Sequence, residues 1–188
     1  MSTFMATLAA AATLLVVTIA APSSVEAQAS RLQMTVYNAA ETEEWLGDYE
    51  PWNDVPDGAS ICMRRYIRQI NFVWGDDDVM LPRCGNDDVL IHITGTVTAP
   101  RSGNYNFYAI SDDGIRLSIG NTLVLDDWED QGPDYSSPYN ADGQVQMLRG
   151  RAYAIDLWWF ENGGGAVLKL LVGLTDTNER VVPPTWFR

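Results

Sequence analysis

The chain has 188 residues, 46% of them hydrophobic, which is enough for one sizeable core and short for two. Its formal net charge of -13 argues against nucleic acid or an anionic membrane as a partner, since both demand a basic patch. The same balance suits a secreted protein, or one whose clustered carboxylates hold cations.

Ala6 to Ala21 is an apolar, alanine-rich run, followed by Pro22-Ser23-Ser24 and then Val25-Glu26-Ala27, a small-x-small pattern that signal peptidase cuts after. Residues 1–27 are therefore expected to form a secretory leader. A retained membrane anchor is the rival reading; the run is short for a span and no Lys or Arg precedes it. Cys62 and Cys84 are the only cysteines, and a lone pair in an exported chain is expected to form a disulfide. Two unrelated buried thiols, or a metal site built on both, are the alternatives.

Beyond the leader the periodicity is that of strands. The segment Ile61 to Ile70 is the one helical candidate, and Asp76-Asp77-Asp78 reads as a solvated loop or a secondary ion site. Val89, Ile91 and Ile93 alternate with Leu90, His92 and Thr94. After the turn signal Pro100-Arg101-Ser102-Gly103, the residues Tyr105, Phe107 and Ala109 alternate in the same way. Ile115, Leu117 and Ile119 share a face, and Gly120-Asn121 is a two-residue hairpin signal leading into Leu123-Val124-Leu125. Tyr153 to Phe160 and Val167 to Leu174 complete the set. Short strands between Gly- and Pro-rich turns predict an all-β fold, an antiparallel, jelly-roll-like β-sandwich.

Asp112 and Asp113 fall at the end of one predicted strand. Successive side chains on a strand point to opposite faces, so an ordinary trans pair cannot aim both carboxylates at one point. A cis peptide bond would let them converge, and a divalent cation would offset their mutual repulsion. The Asp-Asp-Gly step is followed much later by Asn162-Gly163-Gly164-Gly165.

The succession Ile70-Asn71-Phe72-Val73-Trp74-Gly75, Thr94-Gly95-Thr96-Val97-Thr98-Ala99-Pro100, Gly103-Asn104-Tyr105-Asn106-Phe107, Ser111-Asp112-Asp113-Gly114-Ile115-Arg116-Leu117 and Phe160-Glu161-Asn162-Gly163-Gly164-Gly165-Ala166 resembles the protective-antigen domain family. That β-sandwich module recurs in yeast flocculins, epithelial and bacterial adhesins and some glycosidases. The resemblance runs from about Leu32 to the C-terminus and implies a single domain over residues 32–188. It also implies a calcium site, in which Asp112 and Asp113, joined by a cis peptide, chelate the ion. Asn162 would add its side chain, Gly163 and Gly164 would add backbone carbonyls, and sugar hydroxyls would complete the shell. Calcium takes six to eight oxygens at about 2.3 to 2.6 Å and accepts such mixed donors. Where flocculin-type members carry bulky residues after the Asn, this chain has Gly163-Gly164-Gly165-Ala166. Gly165 and the long loop from Asp126 to Gly143, with Trp128, Asp130, Tyr135 and Tyr139, are then expected to contact the sugar.

Plainer roles exist for the same residues. Asp-Asp-Gly can shape a turn, the glycine run can be a tight turn, and Trp128 can fasten its loop to the sandwich. His92, the only histidine, lies opposite the Ile91 and Ile93 face and is read as a surface or second-sheet residue, not as a catalyst. Trp158 and Trp159 point to opposite faces of one strand, so at least one belongs in the core. The favoured function is a secreted or cell-surface carbohydrate-binding module, lectin-like or adhesin-like, with calcium as cofactor and a glycan as partner. The alternative is a structural subunit of an extracellular layer or filament, self-associating through an apolar face. A glycosidase using paired carboxylates is the weakest reading, and the chain is expected not to be an enzyme.

Overall fold

Alternating side chains close two antiparallel sheets on one another. The computed structural model describes residues 31–42, 45–75, 83–136, 139–174 and 179–188, so the expected leader and the Asp76-Asp77-Asp78 run lie outside the described residues. The strands are β1 (Leu32–Asn38), β2 (Ser60–Ile67), β3 (Asn71–Gly75), β4 (Val89–Thr98), β5 (Gly103–Asp112), β6 (Ile115–Ile119), β7 (Thr122–Asp127), β8 (Ala141–Met147), β9 (Ala152–Glu161), β10 (Ala166–Leu174) and β11 (Arg180–Val181). One 6-stranded sheet has the order β2-β1-β4-β9-β6-β7; the other, 5-stranded, runs β11-β10-β5-β8, with β3 also pairing β10. Among the described residues the helical content is two short 3-10 turns, Leu46–Asp48 and Pro184–Trp186.

The inward residues of each strand make the core, as a period of two requires. Met34, Ile93, Leu117 and Trp159 from the larger sheet meet Phe107, Leu168 and Leu170 from the smaller one, each fully buried. A second cluster sits on the outer face of the larger sheet, where Leu90, Trp158 and Phe160 are covered by Leu46, Trp52 and Trp128. Both tryptophans of the Trp158-Trp159 pair are thus buried, one on each side of the sheet. His92 stacks on Trp158 at 3.8 Å between ring centroids and lies 3.2 Å from Asp156.

Two expectations are corrected. Residues 60–67 are strand β2, not part of a helix. This edge strand leaves Ile61 and Tyr66 exposed, which erases the two-residue period that marks a half-buried strand. The loop expected from Asp126 to Gly143 is shorter, because β7 continues through Asp127 and β8 begins at Ala141. At Gly143 β8 passes so close to β7 that any Cβ would collide with the Val124 carbonyl.

Cys62 and Cys84 are joined in a disulfide, with their Cα atoms 5.3 Å apart. It ties the outer edge of the larger sheet to the turn that precedes β4. Two of the passages between the sheets lie side by side at one end of the sandwich, from β5 to β6 through Asp112-Asp113-Gly114 and from β9 to β10 through residues 162–165, and the step from β7 to β8 lies at the same end.

Candidate functional site

The two crossings meet and are stitched together by backbone hydrogen bonds. The Asp113 N–H donates to the Phe160 carbonyl at 3.1 Å, and the Phe160 N–H donates to the Gly114 carbonyl at 3.1 Å. Gly114 has to be glycine here, since a Cβ would overlap the Phe160 ring and stand 3.0 Å from the Glu129 nitrogen. The Asp112-Asp113 peptide bond is cis. One carboxylate oxygen each from Asp112, Asp113 and Glu161 lies within 4.8 Å of the others, and all three residues are buried.

Asp113 is the hub of the arrangement. Its Oδ2 accepts the Asn162 N–H at 2.8 Å and its Oδ1 accepts the Gln131 N–H at 3.0 Å, so one side chain holds both flanking loops. The loop before β8 is fixed further by Asn140. That side chain accepts the Ser111 N–H at 2.9 Å and the Asp134 N–H at 2.8 Å, and donates to the Gly132 carbonyl at 3.0 Å. The Ser111 hydroxyl donates to the Asp113 carbonyl oxygen.

Gathering acids in a dry corner raises the cost of their charge. Burial, with the neighbouring Asp130 carboxyl, pushes the Asp113 carboxyl up to about 7, against the opposing pull of the Asn162 and Gln131 N–H groups. Burial, then the charges of Asp113 and Asp112, pushes Glu161 up to about 9, and Asp87 acts in the same direction. Both Asn162 side-chain atoms are buried without a hydrogen-bond partner, and the two buried Glu161 oxygens make no well-formed bond, the pull of the Gly163 N–H only partly offsetting their burial. Orphaned groups of this kind are rare in native proteins, and each costs free energy until something pairs with it. Carboxylates at this spacing with an amide oxygen beside them are the donor set of a hard, oxygen-seeking cation such as calcium, so the residues present fit one.

The structure brings Asp112, Asp113 and Asn162 to one place, and Gly163 and Gly164 occupy the turn directly after them. Gly164 has φ 100, a left-handed conformation that glycine adopts freely. Asp130 stands beside Asp113. The other loop candidates are dispersed. Trp128 donates its ring N–H to the Leu46 carbonyl at 3.2 Å and packs edge-on against Phe160, on the outer face of the larger sheet. Tyr139 packs on Ile110, Val167 and Leu171, with its hydroxyl donated to Glu179 at 3.0 Å. Tyr135 is exposed, with the Lys169 ammonium 5.3 Å from its ring centroid. Gly165 is half-buried at the end of the glycine turn.

Sequence reasoning misses Glu161, Asn140 and Asp87. Glu161 closes an aromatic strand, and its alignment with Val89 across the sheet is invisible in one dimension. Asp87 follows the disulfide turn, and a Cβ on Gly163 would lie 3.8 Å from its carboxylate.

The PA14 domain model matches residues 47–186. The chain belongs to the PA14 domain family. The sandwich also includes β1, which lies ahead of the matched stretch. Among curated proteins, the PA14 chain is 27% identical over 128 residues to anti-sigma-I factor RsgI3 of Acetivibrio thermocellus, covering 66% of this chain and 19% of that protein. Among solved structures it resembles an anti-sigma factor domain-containing protein from Clostridium clariflavum, with TM-score 0.63, 23% identity, and coverage of 84% of this chain and 46% of the other. It also resembles the epithelial adhesin 6 A domain from Candida glabrata, solved in complex with Galb1-3GlcNAc, with TM-score 0.60, 13% identity, and coverage of 83% and 85%.

Proposed function

We propose that this PA14 domain is a secreted or cell-surface module, not an enzyme, that binds carbohydrate through a calcium ion held at the sheet crossing. The observation that carries the reading is the buried group of Asp112, Asp113 and Glu161 beside the unpartnered side chain of Asn162. A bound calcium would supply a doubly charged centre that neutralises these acids and takes two neighbouring sugar hydroxyls as its outer donors. Asp112, Asp113 and Glu161 present carboxylate oxygens, and Asn162 Oδ1 is the neutral donor beside them. Asn162 Nδ2 remains to donate a hydrogen bond to a sugar hydroxyl. Asp113 also fixes both loops, so the mouth is shaped before ligand arrives, which lowers the ordering cost of binding. The glycan complex of the Candida glabrata adhesin domain supports a sugar as the ligand class.

The test pairs a melting curve with a glycan array, each run in calcium and in excess chelator. Calcium raises the melting temperature, and sugar binding appears only with calcium. Glycan binding that survives chelation would overturn the mechanism, and a melting curve indifferent to calcium would remove the ion.

A further inference from the structure

The end of the sandwich opposite Asp113 carries the opposite charge. β5 starts there at Gly103 and reaches Asp112 after 10 residues, a separation of about 30 Å at a rise of about 3.4 Å per residue. Adjoining clefts open at this far end and share Pro100 and Trp186. The larger, about 430 Å³, is bordered by Arg101 and Arg180 over Val172 and Leu174. Its neighbour, about 350 Å³, is bordered by Arg149 and Arg188. Both volumes fall in the range of ligand sites, about 300 to 1,000 Å³.

No Asp or Glu is among the described residues that line either cleft. In a chain with 25 acidic and 12 basic residues, an evenly mixed surface would bring about two acids to every base. Among the described residues the ion pairs are His92 with Asp156 and Arg116 with Asp126, and neither involves an arginine of these clefts.

Their backbones are held at fixed points. Arg180 pairs with Val172 in the smaller sheet. Arg149 bridges Ala99, and its N–H donates to the Ser102 hydroxyl at 3.0 Å. Arg188 and Thr96 exchange backbone hydrogen bonds of 2.8 and 2.9 Å. A guanidinium presents a planar fork that pairs with carboxylate or sulfate oxygens two at a time.

We propose that this arginine-lined pole is a second binding site that takes an anionic polysaccharide through its carboxylate or sulfate groups. Continuous clefts with an arginine pair in each suit an extended polymer that carries charge at intervals along its length.

The experiment measures binding of the full chain, in excess chelator, to immobilised polygalacturonate, dextran sulfate, neutral dextran and polyglutamate. Chelation silences the proposed calcium site, so failure of one site does not mask the other. One or both anionic glycans should bind and neutral dextran should not, the preferred polymer telling carboxylate from sulfate recognition. Replacing Arg101 and Arg180 together by alanine should weaken that binding about tenfold or more, with an unchanged melting temperature, since each lost charge-assisted pair removes a strong hydrogen bond. Binding to dextran as tight as to the charged glycans, polyglutamate bound as tightly as either, no binding to any anionic glycan, or an unaffected double variant would each overturn the proposal.

Discussion

The Asp113 carboxylate accepts the Asn162 backbone N–H at 2.8 Å while its other oxygen holds Gln131, so one acid couples the β9–β10 and β7–β8 loops, each of which carries the chain from the larger sheet to the smaller. Replacing Asp113 by Ala removes both anchors. Buried hydrogen bonds to a charged acceptor contribute about 1.5 to 3 kcal/mol each, so the two together put the expected loss at about 3 to 6 kcal/mol without calcium once pH exceeds about 7 and the carboxyl is ionised. Denaturant unfolding in chelator measures it. The same variant is expected to show no thermal response to calcium.

Glu161 makes the ion-free protein sensitive to pH. Its carboxyl rises from the ordinary 4.5 to about 9 in the fold, chiefly through burial, so the folded state holds the proton more tightly than the unfolded chain. Stability in chelator is therefore greatest below about 4.5, as far as this group is concerned, and falls as pH rises toward about 9. Chemical denaturation at pH 5, 7 and 9 gives the slope. Glu161→Gln should flatten it, and a slope unchanged in that variant would assign the pH dependence elsewhere.

Gly114 tests the close packing behind the paired acids. A methyl group there meets the Phe160 ring, and overpacking of a tight site costs typically about 1 to 3 kcal/mol. Gly114→Ala should lower the melting temperature and weaken calcium binding in titration calorimetry. Gly132, with open space around its Cβ position, is the control, and Gly132→Ala should leave both nearly unchanged.

The Cys62–Cys84 disulfide closes a loop with a sequence separation of 22. On the chain-entropy account such a link stabilises the fold by about 3 kcal/mol. Reduction, or replacement of both cysteines by alanine, should lower the unfolding free energy by about that amount. Hydrogen exchange should quicken first around Asp87, which follows the bridge along the chain.

Much of this architecture was legible in the residues. Val89 to Val97, Tyr105 to Ala109 and Ile115 to Ile119 show their core face by alternation, while Val167 to Leu174 is buried on both faces and reads as a continuous apolar run. β1 carries an equally plain alternation in Leu32, Met34 and Val36, yet sequence reasoning does not single it out as a strand. β2 and β8 escape for physical reasons: one is an exposed edge, and the other trades a side chain for a glycine that lets it pass β7. Asp112 and Asp113 stood out as adjacent acids at a strand end, and Asn162 joined them through the resemblance to the protective-antigen family. Glu161 did not stand out, since a carboxylate at the end of an aromatic strand signals nothing until the sheets are folded face to face.

Two of the passages of the chain between layers meet at one hem of the sandwich, with Asp113 as the stitch. Whatever occupies that seam is therefore in touch with both layers at once. A ligand settling there would touch the ends of β5 and β10 of one sheet and of β6 and β9 of the other, so a small polar contact would fasten the two layers together.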